Sequence, residues 1–361
     1  VFSLFVLGAT AQNIVSITAT RHEITSALDA NPDRQAQSIL APFSPAVDST
    51  MSPVLGICNG GMDVYRPESP LSDWVSDVLR QACRRHFGKR ADVAIYNMGG
   101  IRSVMPAGQV TQGHIFEIAP FENYLCLLTL RGEDLIELCH NIASTGGEGI
   151  SGLRITATKS GRLVSATVNG KPIKPAKRYT VATLNYLAEG NDKMLALKNA
   201  VKRQDTTIPV RDILMDAIRR NGIVTGTTDG RMTVIADGTA PHQPPLLAPA
   251  SSLRILHTND THSQILPYNP HSTNRAMANK GGAVRRSTFL QAERARTPDL
   301  LLFDAGDFSQ GSLYYNLYKG EVEVRLMNHM RYNACTIGNH EFDFGLDNMA
   351  RIFRLMDFPV V

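Results

Sequence analysis

Three apolar runs in the last third of the chain each break into a polar turn, and this repetition restricts the possible folds more than any other feature. Residues 253–258 (LRILHT) end in Asn259-Asp260, residues 299–303 (DLLLF) end in Asp304-Ala305-Gly306-Asp307, and residues 333–337 (NACTI) end in Gly338-Asn339-His340-Glu341-Phe342-Asp343. Helical periodicity occupies 283–296 and 321–330, between the runs. Strand, helix, strand, helix, strand implies a parallel sheet with right-handed crossovers. Ligands in such sheets gather at the carboxyl ends of the strands, where all three polar clusters fall.

The residue types at those ends suit a metal. Asp260 and His262 lie two apart, so a hard oxygen and an imidazole can reach one ion. A D-x-H spacing alone is weak, and the three matched strand ends carry the reading. Two divalent ions about 3.5–4 Å apart, clamping a phosphoester, need one bridging carboxylate. Asp307 is the candidate, with Asp260 and His262 on one ion and the Asn339 amide oxygen on the other. His340 can donate to the phosphate or leaving group, and Asp343 can hold its tautomer.

LHTNDTHS, DAGDFSQG and GNHEFDFG closely resemble the three opening motifs of the 5'-nucleotidase metallophosphatases, over about residues 253–361. The resemblance implies Asp260, His262, Asp307 and Asn339 as ligands of two divalent ions (Zn, Mn or similar), with His340 and Asp343 as the catalytic pair. It also implies two further histidines and a G-H-x-H-like motif that are absent here, so the expected metal site is incomplete.

Earlier in the chain, Ser69, Pro70 and Gly88 punctuate an amphipathic helix over 70–87. The strand expected at 92–96 runs into Asn97-Met98-Gly99-Gly100-Ile101-Arg102. Paired glycines let backbone approach a ligand, and Arg102 can pair with an anion, although a lone Gly-Gly is usually just a turn. A helix at 132–144, a hairpin at 162–171, a strand at 178–184, a helix at 210–220 and a strand at 232–235 follow. YNMGGIRS, APFEN and NYLAEGND resemble the substrate-recognition half of the same family, which normally follows the metallophosphatase and here precedes it. The resemblance implies substrate contacts from Asn97 and Arg102, a nucleobase held between Phe121 and Tyr186, and ribose hydroxyls on Asp192. Plain core packing is the alternative for the two aromatics. Arg66 is a further candidate for the phosphate. Met98, Asn191 and the pair Lys193-Met194 depart from the family's usual residues.

The expected organisation is two α/β domains: a nucleotide-recognition domain over 12–237 and a partial αββα-sandwich metallophosphatase domain over 252–361. A linker with four prolines (238–251) joins them. Residues 14–28 read as strand-like, and 32–53 as an irregular passage marked by Pro32, Pro42, Pro45 and Pro53. An apolar run ending in Ala9-Thr10-Ala11 reads as the remnant of a signal peptide over 1–11, or alternatively as a first core strand. The remnant implies a periplasmic or secreted protein. With 37 basic against 33 acidic residues, the net charge of +4 argues against a nucleic-acid partner or an anionic membrane surface, and no run is long enough to span a bilayer. Five scattered cysteines read as buried small apolar residues. The reading is a 5'-nucleotidase-like phosphoric monoester hydrolase acting on a nucleotide. The alternatives are a non-catalytic nucleotide or nucleoside binder, or a related metallophosphoesterase for cyclic nucleotides or nucleotide sugars. Oligomeric state is left open.

Overall fold

The computed structural model describes residues 19–236, 253–269 and 277–361. The linker and the apolar run at the start fall outside the described residues. Two hydrophobic cores divide the mixed α/β chain into two domains.

The first core surrounds a five-stranded sheet in the order Lys202–Pro209, Tyr124–Arg131, Arg178–Leu184, Val93–Tyr96, Gly149–Ser151. Only the Val93–Tyr96/Arg178–Leu184 pairing is parallel. Val93–Tyr96 is buried along its whole length, as a central strand must be. Against it packs the helix Pro70–His86, which begins with reciprocal bonds between Ser69 and Ser72 and ends on Arg84, Arg85 and His86. Smaller sheets are built on Val54–Cys58 and on the Leu163–Val168/Lys171–Pro172 hairpin. All five cysteines are buried and unpaired.

The second core lies on a parallel sheet in the order Ile255–Thr258, Leu301–Asp304, Ala334–Cys335, as strand–helix–strand alternation requires. Its crossover helices, Ala283–Arg296 and Glu321–Met330, have the limits that periodicity indicates. Of the expected sandwich, this domain shows a single sheet among the described residues.

The boundary expected at residue 12 does not describe the packing. Residues 32–53 are helical, Arg34–Leu40 and Ser44–Met51, and residues 19–28 form no strand; Ser26–Ala30 is a 3-10 turn. The prolines mark helix ends rather than irregular chain: Pro45 sits in a first turn, where its missing N–H costs nothing, and Pro53 follows the last. Ala36, Leu40 and Val47 are buried in the second core, beside Ile265, Leu290, Leu326 and Met327. The segment is therefore part of the metallophosphatase-like body, although more than 200 residues separate it from the rest in sequence.

Asp33 locks that docking. Its carboxylate caps Arg34–Leu40 through the Gln35 and Ala36 amides (3.0 and 3.2 Å) and accepts from Ser287, from Gln291 (2.9 Å) and from His329 (2.5 Å). Arg285 holds Asp29 through two nitrogens (2.5 and 2.6 Å). Burial pushes the Asp33 carboxyl up, but Ser287, His329 and the Ala36 amide together hold it below the ordinary value. A depressed folded pKa gives stability that is present above the unfolded value, about 3.9, and is lost as pH falls through the folded one. Asp33→Ala should therefore cost about 2–4 kcal/mol at neutral pH, combining a lost cap with stranded donors. In urea denaturation the gap to the parent protein should close below about pH 4.

Candidate active site

The three polar turns are joined edge to edge beyond the ends of the strands. The Asp260, His262 and Ser263 amides donate to the carbonyls of Gly306, Asp307 and Phe308 (3.0, 3.0 and 2.9 Å), continuing the pairing of the first two strands. To make these bonds Asp260, His262, Ser263 and Asp307 adopt left-handed backbone, φ 43–54°. Side chains rarely tolerate that conformation, which persists only where the surroundings over-determine it and is concentrated at functional sites.

Buried carboxyls hold the turns. Asp304 accepts from the Thr258 hydroxyl (2.5 Å) and the Gly306 amide (3.0 Å), and burial raises its pKa to about 6. Glu323, pushed up to about 7 by burial, accepts from the Ser263 hydroxyl, tying the first turn to the helix Glu321–Met330. Glu341 receives amides from both other turns. None of the three is apparent from local sequence, because each is recognised only by what the fold brings to it. Glu341 lies inside the GNHEFDFG stretch, but its partners are up to 34 residues away.

On this frame Asp260, His262 and Asp307 each present a ligand atom within 4.8 Å of the others. Burial, followed by the nearby Arg102 and His340, depresses His262 to about 4, so its imidazole is neutral and its lone pair is free to coordinate. Its buried Nδ1 has no hydrogen-bond partner. A neutral, under-bonded imidazole beside two carboxylates fits a divalent cation. Asn339 faces the same cleft. His340 Nδ1 lies 2.8 Å from Asp343 Oδ2; burial opposes protonation of the ring, but Asp343 and Asp307 outweigh it and hold the pKa above the ordinary value.

The recognition residues meet this cluster from the other domain. One cleft is lined by Asn97, Arg102, Phe121, Tyr186 and Asp192 on one side and by Asp260, His262, Asp307, Asn339 and His340 on the other. Asp192 accepts from Asn97 (2.6 Å) and from the Tyr186 hydroxyl (3.0 Å). Burial and then Asp192 raise Tyr186 to about 12. Gly100 is required for this packing: a Cβ there would lie 2.7 Å from Asn97 Oδ1. Phe121 stacks on His340 (5.4 Å, 19°) and meets His262 edge-on (5.3 Å), so one of its faces is already covered. Arg66 is not a cleft residue. It pairs with buried Glu148 (2.9 Å), which in turn accepts from the Met98 amide, so the arginine supports the glycine turn from behind. Asn123, unassigned in the APFEN stretch, also lines the cleft.

The family model for the 5'-nucleotidase C-terminal domain matches residues 51–199, and that for calcineurin-like phosphoesterases matches residues 253–359. Two regions of the chain thus match the two domain types, and both are similar to 5'-nucleotidases. Human 5'-nucleotidase is 38% identical over 117 residues, covering 32% of this chain and 20% of its own length. Snake venom 5'-nucleotidase of Naja atra is 39% identical over 112 residues, 30% and 21% of the two chains, so these matches span about a fifth of the curated relatives. The crystal structure of a 5'-nucleotidase precursor from Thermus thermophilus superposes with a TM-score of 0.52 at 27% identity, over 56% of this chain and 43% of that one. The match to calcineurin-like phosphoesterases implies divalent metals, and Asp260, His262 and Asp307 are a candidate group for holding one.

Gly338 sets the closest approach between the second and third turns of the 5'-nucleotidase-type site. A Cβ there would sit 2.1 Å from Asp307 Oδ1 and 2.5 Å from Asp307 N, atoms that cannot retreat without breaking the turn. Gly338→Ala should destabilise the fold by about 1–3 kcal/mol, the usual range for overpacking. Urea denaturation monitored by circular dichroism will show this as a lowered midpoint.

Proposed function

We propose that this chain binds nucleoside 5'-monophosphates and supplies the recognition half and part of the metal half of a phosphomonoester hydrolase. The observation that carries the reading is the shared cleft: an arginine, two aromatics and a hydrogen-bonded Asn97–Asp192–Tyr186 chain face Asp260, His262, Asp307, Asn339 and His340 across one cavity. Phe121 and Tyr186 would grip the base, about 1–3 kcal/mol per stacked face, and Asp192 would accept from the ribose hydroxyls. Arg102 would pair with the phosphate. His340, with Nδ1 tied to Asp343, keeps Nε2 for the phosphate or the leaving oxygen. Asp260, His262 and Asp307 would hold one divalent ion and Asp307 with Asn339 a second, of the Zn or Mn class; bound there, the pair would polarise the phosphoryl oxygen and lower the pKa of water. A periplasmic or secreted location accords with the venom relative's printed name. Among the described residues no helix is long and apolar enough to cross a membrane.

A second reading, nucleotide binding without turnover, is favoured by one observation. A two-metal site needs about three or four protein ligands per ion, and the described cluster offers the second ion only Asp307 and Asn339. Two measurements separate these readings. Phe121→Ala and Tyr186→Ala should each weaken AMP binding by about 1–3 kcal/mol in calorimetry, and unchanged affinity in both would make the rings mere packing. Hydrolysis of AMP by the 361-residue chain should be slow in a phosphate-release assay. Fusing the remainder of a family metallophosphatase domain should raise it, and in that fusion His340→Ala should lower turnover roughly 10²–10⁴-fold.

A further inference from the structure

We propose that Glu341 is a positioning residue that sets the spacing between the two halves of the metal cluster; this rests on the metal-binding reading above. Its carboxylate is 3% exposed and bridges two turns that no strand pairing connects at this level. Oε2 accepts from the Asp307 amide (3.1 Å) and the Gly338 amide (2.6 Å), and Oε1 accepts from the Ser309 amide (3.1 Å). Gly338 precedes Asn339, so one carboxylate holds the backbone of the expected bridging ligand and of the expected second-ion ligand together. A further bond, from the His340 amide to Asp307 Oδ1 (3.0 Å), closes the same seam.

The chemistry of the site requires a carboxylate there. Three N–H groups converge, and an ionised carboxylate offers about four acceptor positions. Glutamine offers one carbonyl oxygen, and its NH₂ would face at least one of the amide donors. Asp307 also holds left-handed backbone at φ 54°, and a bonded amide helps keep it there. Without Glu341, Asp307 can relax towards ordinary backbone, which turns its side chain away from Asp260 and His262 and changes its distance from Asn339.

The test uses the full chain and Co²⁺, whose visible absorption reports coordination geometry. The parent protein should develop Co²⁺ bands that Asp307→Asn abolishes. Glu341→Gln should bind Co²⁺ roughly 10–100-fold more weakly, the range for supporting residues around metal ligands, with altered band intensity at saturation. A purely structural glutamate would lower the melting temperature yet leave both affinity and spectrum as in the parent, and that result would overturn the proposal. If Glu341→Gln does not accumulate folded, Glu341→Asp, which keeps the charge but is one methylene short, should show the same altered spectrum, and parental bands there would likewise overturn it. Absence of Co²⁺ bands in the parent would remove the metal reading itself, and this proposal with it.

Discussion

The site depends on left-handed backbone held at the carboxyl ends of a parallel sheet. Four residues of the cluster, Asp260, His262, Ser263 and Asp307, sit where side chains are disfavoured. Each such residue costs of order 1–3 kcal/mol unless the surroundings offset it. The offsetting bonds are on hand: three amides of the first turn on three carbonyls of the second, and three buried carboxyls, Asp304, Glu323 and Glu341, that accept from the turns. Two of these acids are pushed upward by burial, Asp304 to about 6 and Glu323 to about 7, so the frame itself is costly to bury.

That frame has a purpose only because a second domain closes over it. Phe121 reaches from the recognition domain to lie on His340 and against His262. Away from the cleft, Glu122 pairs with Arg211 in its own domain and accepts from Asn316 (3.2 Å) in the other. The ring contact and the amide contact fix the same junction from two sides. Arg102 stands between the halves, 5.7 Å from the Phe121 ring centroid and close enough to depress His262. Arg102 and His262 are therefore electrostatically linked: an anion paired with the arginine would reduce the repulsion that it imposes on positive charge at His262.

How much of this can be read from the chain alone differs by level. The crossover helices Ala283–Arg296 and Glu321–Met330 are legible to the residue, as helix-like segments lying between the apolar runs. Asp260, Asp307, Asn339 and His340 are brought together because they follow strand ends and parallel topology sends those ends to one edge, whereas Asn97, Phe121 and Tyr186 come from loops of a mostly antiparallel sheet. The helices Arg34–Leu40 and Ser44–Met51 look irregular in sequence, because prolines signal a helix boundary as readily as a break. Arg66 looks like a ligand contact, since an arginine near a glycine turn gives no sign of the buried acid, Glu148, that claims it 82 residues later.

By itself the sequence determined the parallel character of the metal half's sheet, the polar character of its three turns and the chemical class of their side chains. These follow from periodicity and composition, which act over a few residues. Only the tertiary structure decided that residues 26–51 join the second core through Asp33 and Asp29, that Phe121 spends one face on His340, and that Glu341 gathers three amides. Such facts depend on which buried donors find which acceptors across long stretches of chain, and no local pattern encodes that pairing.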